Sequence, residues 1–211
     1  MASPPTPPVT SLNGRAVSRP ATGADREAMY AISLATGDRG GDAAPLYRDP
    51  DLIGHIYAGP YLTLATGGCR VLVDAEGVAG FAVGVSDSVA FADLLGRHWW
   101  PALRARYPMP DPDETTAAAR RIRMTHDPER TPAEVTGSHP AHLHLNLLPR
   151  AQGRGLGHTL LADWIAAQRP GPLHVGVNRE NPRAIRCWRR AGCADLTERG
   201  RTLWLGRNDA A

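Results

Sequence analysis

Three glycines at alternate positions, Gly153, Gly155 and Gly157, follow an apolar run ending at Leu148 and Pro149 and precede a pattern of helical spacing. Glycine lets a backbone approach a ligand with no Cβ in the way. The first amides of the next helix have no intrahelical acceptor, and the helix dipole adds positive potential there. Strand, glycine loop and helix start in this order make a place for a phosphate or pyrophosphate. Arg150 and Arg154 are natural phosphate partners, with solvated loop charges as the plainer alternative. Two common phosphate loops fit poorly. In a G-x-x-x-x-G-K-[ST] loop, His158 stands where the lysine belongs and Gln152 where the first glycine belongs. A G-x-G-x-x-G dinucleotide loop needs another spacing and an early place in the chain.

A second cluster is imidazole. His142 and His144 share one face of an apolar run, with His139 nearby. An H-x-H pair on a strand is half of a metal site, but no acidic or cysteine ligand has matching spacing, so no metal is expected. Cys69, Cys187 and Cys193 form no CxxC pair; an odd count without a framework suits a reduced, cytoplasmic protein. Cys187 and Cys193 flank a helix end and read as packing residues.

These residues need a scaffold. Residues 1 to about 14 are rich in Pro, Ser and Thr and are expected to be a disordered tail. Val17 suits a short strand. Thr22 and Asp25 form a capping box before a helix with Met29 and Ile32 inward and Ala28 beside them. Gly37 to Pro45 reads as a loop, Asp51 to Ala58 as a helix interrupted by Gly59 and Pro60, and Tyr61 to Ala65 as its continuation. Arg70–Val73 and Val78–Val85 read as a hairpin. Residues from about 87 to 141 read as an irregular, proline-rich, partly helical insertion, with a helix over Asp113–Met124 and Pro101 at a helix N1 position.

The strand His142–Leu148 alternates, with Leu143, Leu145 and Leu147 on one face and His142, His144 and Asn146 on the other. The helix after the loop carries Leu156, Leu160, Leu161, Trp164 and Ile165 on one stripe. A strand at Leu173–Val177, a helix at Pro182–Ala191 ended by Gly192, and a hairpin through Gly200 complete the chain. The order α, ββ, β-loop-α-β-α-β-β argues a mixed α/β (α+β) sheet in one domain over residues 15–207.

At 211 residues the chain is long enough for a real core. Net charge is +3, and all 24 basic residues are arginine. No block of basic residues runs together, so no nucleic-acid partner is expected. The N-terminal run lacks the basic and apolar regions of a signal peptide, and no apolar stretch suffices to span a bilayer. A monomer or a homodimer is equally compatible.

The run Gln152–Gly157 matches Q/R-x-x-G-x-G/A, and Val177 to Ala184, followed by Cys187, Trp188 and Gly192, resembles V-N-x-x-N-x-x-A…Y…GF. Together they resemble the GNAT superfamily of N-acetyltransferases. Over about residues 50–207, Asp51–Gly54, Gly59–Leu62, Trp99–Tyr107 and His142–Asn146 resemble the acetyltransferase-like C-terminal domain of O-GlcNAcase and its free-standing bacterial relatives, with the glycine loop intact here. The resemblance implies the GNAT fold, a mostly antiparallel sheet flanked by helices, with acetyl-CoA as acetyl donor and an amine or peptide as acceptor. It implies that Asn146, Leu147 and Leu148 pair with pantetheine on a splayed strand, and that amides from Gln152 through Gly153, Arg154, Gly155, Leu156 and Gly157, with His158, take the pyrophosphate. Asn178 and Asn181 would hold the pantetheine end, Asn181 serving equally well as a helix N-cap. The family often places a glutamate on the strand where His144 and Asn146 stand, making His144 the candidate base and Asn146 an orienting group, with a hydrogen-bonded sheet histidine as the plainer reading. Trp188 stands where relatives carry an acid tyrosine and is expected to pack along the cofactor. Trp99, with Trp100 and Tyr107, is expected either to wall the acceptor or to anchor the insertion.

Overall fold

The computed structural model describes residues 10–12 and 16–208. An eight-stranded sheet runs β1-β2-β3-β4-β5-β6-β8-β7. Its strands are β1 (Thr10–Leu12), β2 (Ala16–Pro20), β3 (Cys69–Asp74), β4 (Gly77–Val85), β5 (Ala141–Leu147), β6 (Leu173–Asn178), β7 (Ala194–Arg199) and β8 (Thr202–Arg207). Every neighbouring pair is antiparallel except β5 and β6. That parallel pair has two rungs, Ala141 with Leu173 and His142 with His174, and pairs no further. The rest of β5 is bonded on its β4 side only.

The alternation on β5 decides the two layers. Leu143 is buried with Leu160, Leu161 and Trp164 of α8 (Leu156–Gln168). Trp164 is wholly buried, and its indole N–H donates to the Gly68 carbonyl at 2.9 Å, so this large ring adds packing without an unpaired donor. Gly84 allows the close approach: a Cβ there would stand 2.3 Å from the His142 oxygen and 2.7 Å from Trp164. On the opposite face α1 (Arg26–Ala35) and α3 (Gly59–Leu64) cover Val71, Phe81 and Val83 through Met29, Ile32 and Tyr61. Asp25 fixes the entry to α1: its carboxylate accepts from the Thr22 amide at 2.8 Å and pairs with Arg19 at 2.7 Å, and that guanidinium bond holds the carboxyl below its ordinary pKa.

The segment expected to be irregular is four helices, α4 (Ser88–His98), α5 (Trp100–Arg106), α6 (Ala117–His126) and α7 (Ala133–Ser138). The prolines sit at helix ends, Pro101 within the first turn of α5 and Pro132 before α7, where proline costs nothing. Trp100, Leu103 and Tyr107 build a third core with Leu52, Ile53 and Ile56 of α2 (Leu52–Tyr57). The expected tail is corrected in part: Thr10–Leu12 pairs with Ala16–Ser18 as β1, while residues 1–9 and 13–15 lie outside the described residues. Among the described residues no helix is long and apolar enough to cross a membrane.

Candidate active site

The loop after β5 begins with a short helical turn at Pro149–Ala151 and enters α8 through Gly153 and Gly155, whose φ angles are +73° and +77°. This left-handed backbone is open to glycine and strained for other residues. It turns the chain so that the amides of Gly153, Arg154, Gly155, Leu156 and Gly157 find no acceptor within the described chain. Five successive free N–H groups at the positive end of a 13-residue helix form an anion cradle. The residues fit a pyrophosphate on this ground. Arg154 is exposed and has no ion-pair partner among the described residues.

Several sequence expectations around the loop need correction. The amides of Gln152 and His158 are not free; they donate to the Pro149 and Gly155 oxygens at 3.1 and 3.0 Å. Gln152 acts through its side chain, donating to the Leu147 oxygen at 2.6 Å and accepting from Arg183 of α9 (Pro182–Arg190), which ties the loop to both strand and helix. Leu148 commits its amide to Ala79 at 2.8 Å, so its N–H is not available to a ligand. Arg150 turns away from the loop and bonds Asp74 at 2.9 Å and the Val78 oxygen at 3.3 Å. Its tie lowers the Asp74 carboxyl pKa.

Leu145 and Leu147 of β5 and Ala184, Ile185 and Trp188 of α9 are half-buried, and each packs against the edge of the α8 core. Trp188 thus belongs to this apolar border. Asn181 caps α9, its side-chain oxygen accepting from Ala184 at 3.0 Å, and Asn178 accepts from the Glu180 amide at 2.9 Å. Both amide NH2 groups remain without a partner in the described chain.

On the other face of β5 lies a cleft of about 350 Å³. His144 of β5 and Gly176 of β6 both line it, so it extends across the parting of the two strands. Its walls include Tyr57, Tyr61, Phe91, Trp100 and Trp204. Of these only Trp100 is an acceptor-wall candidate in the sequence. Tyr57 ends α2 and Tyr61 lies in α3, four residues apart, but Phe91 and Trp204 lie 30 and 143 residues beyond Tyr61, and no local pattern links them to the strand.

His142 is locked. Ser88 donates to the Pro140 oxygen at 2.6 Å, and its single hydroxyl proton is then used. The His142 Nδ1–H therefore donates to Ser88 Oγ at 2.7 Å, and Nε2 accepts from the Tyr61 hydroxyl at 2.6 Å. Burial drives the His142 pKa well below its ordinary value, with His144 and His174 adding to the shift. His144 has no hydrogen bond within the described chain, and Tyr57 and Tyr61 meet its ring edge-on at 5.9 and 5.6 Å between centroids. Burial pushes its pKa down to about 4. It is an accessible, uncharged imidazole with a free lone pair.

Asn146 does not join it. Its amide nitrogen donates to Thr36 Oγ1 at 2.7 Å, tying β5 to the end of α1, and it does not line the cleft. Trp99 and Tyr107 are anchors, not walls: the Trp99 indole donates to the His55 oxygen at 2.9 Å, and the Tyr107 hydroxyl donates to Asp49 at 2.7 Å. No group of three or more His, Cys, Asp or Glu side chains among the described residues is arranged to hold a metal ion.

The crystal structure of SsHAT is similar over 93% of this chain and 99% of that one, at 30% identity and a TM-score of 0.87. A GCN5-related N-acetyltransferase from Kribbella flavida shares the fold at 16% identity and a TM-score of 0.52, over 93% of this chain and 99% of its own. The chain belongs to the GNAT acetyltransferase superfamily. No family model matches it. Within this superfamily the chain is also similar to protein O-GlcNAcase of Rattus norvegicus, 22% identical over 197 residues, 91% of this chain and 21% of that protein. The GNAT chain thus spans about a fifth of the length of the curated relatives it matches. The mixed, mostly antiparallel sheet matches the GNAT fold, and β5 and β6 part after two rungs, with the glycine loop following β5 and the cleft lined by residues of both strands.

Proposed function

We propose that this chain is an acetyl-CoA-dependent N-acetyltransferase that passes the acetyl group directly to an amine. The observation that carries the reading is the run of five unpaired amides, Gly153 to Gly157, at the start of α8 beside the β5–β6 parting. A bound acetyl-CoA supplies an activated thioester. The chain's own contribution is to hold its pyrophosphate on those amides, with Arg154 adding charge, and to lay its pantetheine along the border of Leu145, Leu147, Ala184 and Trp188. The β5 backbone groups that β6 leaves unpaired and the NH2 groups of Asn178 and Asn181 are its candidate polar partners. The thioester end then reaches the parting, where His144 offers a neutral nitrogen to an amine proton.

Calorimetry with acetyl-CoA, followed by thiol release with an amine panel, tests this. Saturable binding plus acceptor-dependent release is expected; no binding at millimolar acetyl-CoA overturns it. One observation favours a second reading, a CoA-binding sensor: Trp188 cannot protonate a leaving thiolate, and it stands where an acid tyrosine was expected. Binding without release above buffer hydrolysis for any acceptor would select that reading.

A further inference from the structure

We propose that the cleft takes an aromatic amine, a nucleophile uncharged at neutral pH, as the acetyl acceptor. This rests on the reading of the chain as an acetyl-CoA-dependent acetyltransferase. The lining is the first argument. Tyr57, Tyr61, Phe91, Trp100 and Trp204 all line the cleft, so a planar ring entering it has five aromatic side chains to pack against. Ring pairs of this kind attract beyond simple burial.

The second argument is charge. An ammonium leaving water needs a paired anion. The lining holds one carboxylate, Glu129, on an exposed stretch between α6 and α7, and one guanidinium, Arg130, paired with Asp93 at 2.8 Å. Behind the wall, Arg121 donates to the Tyr57 hydroxyl at 2.9 Å and lies 5.5 Å from its ring centre, adding positive potential. The remaining titratable groups are the Tyr57 and Tyr61 hydroxyls, which burial pushes further from ionising, and His142, His144 and His174, whose affinity for a proton burial lowers. Surroundings that refuse a proton to an imidazole also refuse an alkylammonium at the same place.

The chemistry matches. A neutral aromatic amine needs no prior deprotonation. Its nitrogen forms a bond to the acetyl carbon, the carbon–sulfur bond breaks, and sulfur leaves with the electron pair. The nitrogen's surplus proton passes to the free lone pair of His144 and from there, through solvent, to the thiolate. A weak base suffices, because the nitrogen becomes strongly acidic as the bond forms.

The test uses the full chain at pH 7 with para-anisidine and its cationic counterpart para-methoxybenzylamine, which differ by one methylene and by charge. Tryptophan fluorescence reads binding, since Trp100 and Trp204 line the cleft, and thiol release reads turnover. We expect para-anisidine to be favoured in kcat/KM by about tenfold or more. Val89, exposed on the cleft wall in the first turn of α4, supplies a converse. Val89→Asp adds a carboxylate where a helix start tolerates it and should move the ratio toward the benzylamine by about tenfold. Equal or better use of the benzylamine by the natural chain, an unmoved ratio in Val89→Asp, or no saturable para-anisidine binding would each overturn the proposal. Loss of acetyl-CoA binding by calorimetry would instead remove the functional reading, while the fluorescence titration would still decide what the cleft accepts.

Discussion

At the start of α8, five consecutive backbone amides have no partner among the described residues, whereas across β5 His142 has committed both ring nitrogens, to Tyr61 and Ser88. The loop is exposed, polar and incomplete by itself. The histidine cleft has aromatic rings in its walls and leaves one imidazole, His144, without a hydrogen bond among the described residues. An unmet row of donors is costly only when water is excluded, so the loop can wait in solvent for an anion. A buried cation is costly at once, so the cleft keeps its imidazoles neutral. The first region offers unmet donors suited to an anion; the second, apart from the exposed Glu129 and Arg130, is lined by uncharged groups.

Substitutions should separate the two regions. His144→Ala should lower acceptor-dependent thiol release by about 10²-fold, at the low end of what a positioned base contributes, while calorimetry finds acetyl-CoA affinity unchanged. A matching loss of affinity would mean that His144 belongs to the donor half. Gly155→Val should do the reverse. Nothing lies within 4 Å of a Cβ at Gly155, so the fold accepts it, but its φ of +77° strains a β-branched residue. Relaxing that strain turns the amides, and acetyl-CoA affinity should fall by about 10- to 100-fold, a change of about 1–3 kcal/mol. Unchanged affinity would remove the amides of the loop from the donor site.

Legibility follows the same division. The loop half was readable because its parts are consecutive: a strand end, alternate glycines and a helix stripe from Leu156 to Ile165 whose members are all buried. What misled there were long side chains. Arg150 and Gln152 stand beside the loop in sequence, yet Asp74 and Arg183 claim them from 76 and 31 residues away. The cleft half was readable only at His142, His144 and Trp100. Tyr57, Tyr61 and Trp204 reach it through packing of distant elements, and the period of a helix says which face is apolar but not which neighbour it meets. Trp99 and Trp100 show the limit most sharply: adjacent residues of one type, one hydrogen-bonded to α2 and one lining the cleft.

The neutral imidazoles also make a stability prediction. His142, His144 and His174 have folded pKa values below the ordinary 6.5. Below 6.5 the unfolded chain binds protons that the folded chain refuses, so stability falls as pH drops from 6.5 toward about 4, where His144 itself begins to titrate. Each fully refused proton contributes a slope of up to about 1.4 kcal/mol per pH unit. Urea unfolding between pH 7 and 5 should show this decline, and His144→Gln should make it shallower. An unaltered slope in the variant would place His144 in water rather than in the cleft. Acetyl-CoA affinity over the same range should change much less, because the loop donors are amides that do not titrate.

The smallest effect separates two arginines four residues apart. Arg150 is tied to Asp74, half-buried at the turn of the β3–β4 hairpin, and Arg154, beside the amide cradle, has no partner among the described residues. Arg150→Ala removes an ion pair of a kind that contributes about 0–1 kcal/mol to folding, so thermal stability should drop slightly while acetyl-CoA affinity holds. Arg154→Ala removes no contact from the folded chain, so stability should hold, while affinity weakens by a few-fold, about 1 kcal/mol or less. Salt discriminates further. An exposed guanidinium acting on a phosphate is screened at high ionic strength, so the affinity gap between natural chain and Arg154→Ala should close as salt is added. If Arg150→Ala instead weakens binding in this salt-dependent way, Arg150 must leave Asp74 when the ligand arrives, and the anion site would extend down to the hairpin rather than ending at the helix start.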